Sequence, residues 1–225
     1  MDALKALLVA GAGVNQAKTN GSTPLFIAAE KSHVGALKAL LVAGAGVNQA
    51  MTDGCTPLFI AAQKGHVDAL KALLTAGADV NQATTNGATP LYIAAQNDHV
   101  DVLKALLTAG ADVNQAMTDG CTPLIIAAQE DHVDALKALL TAGADVNQAA
   151  TDGQSPLFVA SEAGNLEAVG LLLSAEADKG ALANEAFTVV GKGADLTPSQ
   201  ISSLASPHRP KASAGAFEPR RQEYL

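Results

Sequence analysis

Gly54 to Asn86 reads G-C-T-P-L-F-I-A-A-Q-K-G-H-V-D-A-L-K-A-L-L-T-A-G-A-D-V-N-Q-A-T-T-N, and this 33-residue passage returns from Gly87 and again from Gly120 with a handful of substitutions. A fixed period of this length is the signature of stacked repeats, in which each unit packs only on its neighbours. Working outward, looser copies open at Gly21 and Gly153, so five full copies occupy 21–180. Residues 1–20 read as the second half of a repeat, residues 181–205 as a degenerate segment, and residues 206–225 as a disordered tail rich in Pro, Ser, Ala and Arg. Within the degenerate segment, 184–190 resembles the eroded opening of a sixth copy, and Thr197-Pro198 could cap one short helix.

Each copy carries its own local instructions. Asn20-Gly21, Asp53-Gly54, Asn86-Gly87, Asp119-Gly120 and Asp152-Gly153 are tight-turn dipeptides that predict the tips of hairpin-like fingers. Thr23-Pro24, Thr56-Pro57, Thr89-Pro90, Thr122-Pro123 and Ser155-Pro156 place a capping hydroxyl before a proline at the first helical position. A short first helix follows, for example 57–64, whose adjacent Ala61 and Ala62 allow close approach of neighbouring repeats. A second helix over about 67–76 presents Val67, Leu70, Leu73 and Leu74 as one buried stripe, with Asp68 and Lys71 paired on the opposite face. Gly77 ends it, and Gly44, Gly110 and Gly143 do the same in their copies.

The period, the T-P-L-x-x-A-A opening and the G-A-D-V-N passage resemble the ankyrin repeat family. The resemblance implies an all-α fold, a right-handed α-solenoid with hairpin-like finger loops. It also implies a non-catalytic scaffold that binds a protein or peptide on a concave face lined by finger tips and first-helix ends. On matching positions the fingers offer Met51, Asp53 and Cys55, then Thr84, Asn86 and Ala88, then Met117, Asp119 and Cys121. The helix ends offer Gln63, Lys64, Gln96, Asn97, Gln129 and Glu130. Two departures stand out. The His of the family's T-P-L-H is replaced by Phe26, Phe59, Tyr92, Ile125 and Phe158, so apolar packing must substitute for its hydrogen bonds. The Asp before the finger tip is replaced by Lys18, Met51, Thr84, Met117 and Ala150, which predicts looser fingers.

Composition narrows the partner. The chain is 48% apolar but only 3% aromatic and has no Trp, which suits thin, closely packed helices. The formal net charge is −8, and residues 1–178 carry 8 basic and 18 acidic side chains. An acidic array repels phosphate backbones, so nucleic acid is not expected as a partner, whereas a basic protein or peptide would be steered towards it. Lysines interrupt every apolar run before it reaches the ~18 residues of a membrane span, and the apolar stretch 7–14 is repeat sequence, not a signal peptide. Cys55 and Cys121 stand two repeats apart, about 20 Å at about 10 Å per layer, beyond disulfide reach. Free thiols favour a reducing, cytoplasmic setting, the nucleus included, and a monomer is expected.

Several features imitate chemistry. His33, His66, His99 and His132 recur with the period, but neighbours about 10 Å apart cannot share an ion whose ligands sit about 2 Å from it. The resemblance assigns them to the G-H junction between helices. Gly11–Thr19 brushes against a phosphate loop but has Ala at positions 12 and 17, where the template needs Gly. Asp79, Asp112 and Asp145 fall one per repeat, too far apart to share a proton. No cofactor, metal or catalytic constellation is expected. Two questions stay open at this level. Residues 1–20 either follow further repeats or serve as a cap in themselves. The M-T-D-G-C words at 51–55 and 117–121 fit either a tuned groove or a recently duplicated generic surface.

Overall fold

The structure, a computed structural model, describes residues 11–175. The expectations for the N-terminal ten residues, the degenerate segment at 181–205 and the tail at 206–225 lie outside them. Ten helices and no strand occur among the described residues. First helices are α1 (Pro24–Glu30), α3 (Pro57–Gln63), α5 (Pro90–Gln96), α7 (Pro123–Gln129) and α9 (Pro156–Ala163). Second helices are α2 (Val34–Val42), α4 (Val67–Thr75), α6 (Val100–Thr108), α8 (Val133–Thr141) and α10 (Leu166–Ser174). Lys64 and Ala76, read from sequence as last helical residues, are caps one position beyond the helix.

Every first helix starts where its cap dictates. Thr56 Oγ1 accepts the Phe59 N–H at 3.1 Å, and the same bond recurs at Thr23, Thr89, Thr122 and Ser155. Second helices end in a paired closure: Gly77 N donates to Leu74 O at 3.0 Å and Ala78 N to Leu73 O at 3.0 Å. That geometry needs a left-handed residue, and Gly77 supplies it at φ +85°.

The core is continuous from copy to copy. Ala61, Ala62, Ala94, Ala95, Ala127 and Ala128 are fully buried, because each first helix packs flat against the next. First helices contact one another more closely than second helices do. An array with one tight row and one loose row bends, with the tight row inside. The looseness also corrects the expected stripe of α4. Ala69, Leu70 and Leu73 are buried, whereas Val67 and Leu74 are half-buried and line an outer groove between α4 and α6. Asp68 and Lys71 form no ion pair. The one Lys–acid contact between second helices, among the described residues, is Lys137 Nζ to Glu167 Oε1 at 3.1 Å. Glu167 stands where the other copies have the shorter Asp68, Asp101 and Asp134.

Hydrogen bonds between repeats replace the family residues that are missing. His66 Nε2 donates to Glu30 O at 3.0 Å, His99 Nε2 to Gln63 O at 3.1 Å, and His132 Nδ1 to Ala95 O at 3.0 Å. Asn165, the last copy's substitute, donates to both Ala128 O and Gln129 O at 2.9 Å. Asn48, Asn81 and Asn114 each accept the backbone N–H of the next copy's Asp79, Asp112 or Asp145. Fingers are stitched too: Thr52, Thr85, Thr118 and Thr151 donate their N–H to Asn20, Asp53, Asn86 and Asp119 carbonyls at 2.8–3.1 Å. Gly54 is required twice over. Its φ is +84°, and a Cβ there would stand 2.9 Å from Thr84 Cα. The fingers are therefore tied to one another despite the missing Asp.

These bonds predict an ordering of variants. His99→Ala should cost about 1 kcal/mol in urea melts, because it strands a part-buried carbonyl. His99→Asn should cost less, because Asn165 already makes the equivalent bond from its own place. Equal losses would remove the hydrogen bond from the explanation.

Candidate functional site

Finger tips and first-helix ends lie along the tightly packed row, which places them together on the inner side of the bend. Asp53, Asn86 and Asp119 are exposed at the tips. Their side chains turn inward, though: Oδ1 accepts the N–H two residues on, from Cys55 at 2.9 Å, Ala88 at 3.4 Å and Cys121 at 2.9 Å. Thr84, half-buried, bonds through Oγ1 to Asn86 Oδ1 and to Ala88 O. Met51 and Met117 are half-buried and pack on the core.

Cys55 and Ala88 are buried, at 8% and 6% exposure, so the expectation of a finger surface does not hold for them. The second position of each copy lies beneath the finger, beside the aromatic of the copy before. Tyr92 Oη approaches the half-buried Cys121 Sγ at 3.8 Å. Phe26, Phe59, Tyr92 and Ile125 are buried, the apolar substitution for the family His that the sequence implied. Burial, with a smaller contribution from Asp53, pushes the Cys55 thiol from 9.0 to about 12. Burial also raises Cys121, and raises Tyr92 above the usual phenol range.

At the helix ends Lys64, Gln96, Asn97, Gln129 and Glu130 are exposed and Gln63 is half-buried. Asn97 folds back, its Nδ2 donating to Ile93 O at 2.8 Å. Asp98 and Asp131 escaped the sequence reading. Both are exposed beside these helix ends and hold left-handed backbones, with φ of 53° and 57°. The signal was present, since both stand where Gly65 does and a glycine suits that conformation.

Charge along this rim is graded. Lys18, Lys31 and Lys64 are exposed towards the N-terminal end. Asp98, Asp119, Glu130, Asp131, Asp152 and Glu162 are exposed towards the C-terminal end, with no Lys or Arg between them on the rim. Among the described residues no helix is long and apolar enough to cross a membrane, and no group of three His, Cys, Asp or Glu side chains is placed to hold a metal ion.

A family profile described as Ankyrin repeats (3 copies) matches the chain over 1–84, 35–117, 76–150 and 114–183. No curated protein matches significantly.

Left-handed non-glycine residues are strained by ~1 kcal/mol, so Asp98→Gly and Asp131→Gly should each raise the urea midpoint. A lowered midpoint would mean that the carboxylates contribute more than the backbone conformation costs. The thiols predict a pH effect. Between pH 9 and about 12 the unfolded chain loses the Cys55 proton while the folded chain keeps it, so stability falls as pH rises through this window. Cys55→Ala should flatten that fall, since Ala88 fills the same place in the next copy. An unchanged slope would assign the alkaline loss elsewhere.

Proposed function

This chain belongs to the ankyrin repeat family, and from that premise we propose that it is a non-catalytic scaffold whose inner rim binds a protein or peptide of basic character. Ankyrin repeats are generally protein–protein interaction modules, and nothing about the rim suggests a reacting centre. One observation carries the reading. Among the three closest copies, exposed positions differ only along the rim: Lys64, Asn97 and Glu130; Gly65, Asp98 and Asp131; Thr84, Met117 and Ala150; Asn86, Asp119 and Asp152. The exposed outer face repeats unchanged, with Asp68, Lys71 and Thr75 returning as Asp101, Lys104 and Thr108. Copies that share one scaffold and vary only at one edge are suited to present different side chains to a single ligand.

The rim's acidic C-terminal half supports the choice of a basic partner, oriented so that its cations meet Asp98 to Glu162. Stitched fingers favour binding with little rearrangement, which saves the ordering cost that a loose loop would incur. Buried, free Cys55 fits a reducing intracellular compartment. A second reading, a spacer or targeting portion with no groove ligand of its own, draws on the identical words at 51–55 and 117–121.

Peptides selected from a random display library on the immobilised chain should be rich in Lys and Arg and should weaken in salt. The triple variant Asp98→Lys, Glu130→Lys, Asp131→Lys should lose them by at least ~10-fold, equivalent to ~1.4 kcal/mol. The outer-face pair Lys71→Glu, Lys104→Glu should retain them. Loss in the outer-face variant with retention in the rim variant would sink the rim reading and leave the family assignment standing.

A further inference from the structure

At each interior junction a first helix serves the copy behind it in three ways. Its last turn offers a carbonyl to the next His, as Gln63 does for His99 at 3.1 Å. Its flank buries the next proline and isoleucine: Pro90 is buried, and Ile60, Ile93 and Ile126 are only 5–7% exposed. Its aromatic reaches the next second position, as Tyr92 reaches Cys121.

The front of α1 differs in every respect. Pro24 and Ile27 are half-buried rather than buried. His33 is exposed and its ring makes no hydrogen bond, unlike those of His66, His99 and His132. Ser22, only 5% exposed, keeps a hydroxyl with no partner. All four residues line one open cavity of about 400 Å³, closed on its far side by the finger residues Gln16 and Lys18. A buried hydroxyl without a partner costs roughly 1–3 kcal/mol, and an apolar flank in water forgoes the burial that every interior copy gains.

We propose that this front face is a docking site for one short helix in trans, of the same chemistry as the array's own first helices. The occupant starts at Thr-Pro, packs an Ala-Ala flank on Pro24 and Ile27, and ends with a carbonyl that receives the His33 ring N–H. The argument is continuity with an interface the chain already makes: α1, α3, α5 and α7 each seat such a surface on the next copy. Only a small-residue flank fits, because each interior junction relies on alanines with no exposed area. The site lies at the end of the array, apart from the rim, so either reading can fail alone.

The probe is the peptide N-G-A-T-P-L-Y-I-A-A-Q-N-D, residues 86–98 of this chain, labelled and titrated with the full protein. Saturable one-to-one binding is expected. Ile27→Lys, or Ala94→Glu in the peptide, should weaken it at least ~10-fold, and His33→Ala about fivefold, the range of one part-buried hydrogen bond. The imidazole nitrogen signals of His33 should shift on binding while those of His66, His99 and His132 stay in place. Circular dichroism melts of each variant separate lost binding from lost folding. No binding, or binding indifferent to Ile27→Lys and His33→Ala in folded protein, overturns the proposal. So does concentration-dependent self-association that Ile27→Lys abolishes, which would make a second copy the occupant. Loss of binding in the rim triple variant with retention in Ile27→Lys would move the peptide to the rim and equally overturn it.

Discussion

Contact between successive first helices is the constraint on which the rest depends. A seven-residue helix cannot hold itself together in water, and a pair of them cannot bury both flanks. Alanine at the contact lets backbones approach until no side-chain surface remains, and Ala61, Ala62, Ala94 and Ala95 reach zero exposure this way. Leucines then fill the space between first and second helices, with Leu70, Leu73, Leu103 and Leu106 fully enclosed. Stability is thus a property of junctions more than of copies.

Polar groups follow the same division. A short helix leaves carbonyls at its end, and here most of those ends face the next copy. The His ladder answers them across the junction, and Asn165 continues the ladder with a different side chain and the same donors. The Asn48, Asn81 and Asn114 side chains do the equivalent for the loops behind the second helices. Finger-tip carbonyls receive the next finger's Thr N–H. Three separate hydrogen-bond rungs therefore run along the array, each between adjacent copies, and each ceases to be satisfied where neighbours end. His33 and Ser22 mark one such end.

Packing and recognition occupy different residues of the same short segment. Positions that touch a neighbour are confined to apolar or small residues, so variation there stays conservative, as in Phe59, Tyr92 and Ile125. Positions just past the first helix touch no neighbour and change sign freely, from Lys64 to Glu130. Asp98 and Asp131 add charge where a glycine would be less strained, and strained backbones of this kind gather at functional surfaces.

Most of the fold was legible in the letters because its determinants are local and repeated. Thr-Pro starts, glycine stops and the 33-residue period place every described helix to within one residue at its end. The site was legible only in outline. Lys64, Gln96, Gln129 and Glu130 emerged exposed as expected, but Cys55 and Ala88 sank beneath the fingers and Asp98 and Asp131 rose beside them. Likewise Val67 and Leu74 satisfy the helical stripe yet stay half-buried, because second helices stand farther apart than first ones. Sequence by itself determined the module, its boundaries and its need for neighbours, since caps, turns and periodicity act within a few residues. Tertiary structure alone decided which side chains reach solvent and which carbonyl each His meets, because both depend on the distance and tilt between copies, and no residue encodes those alone.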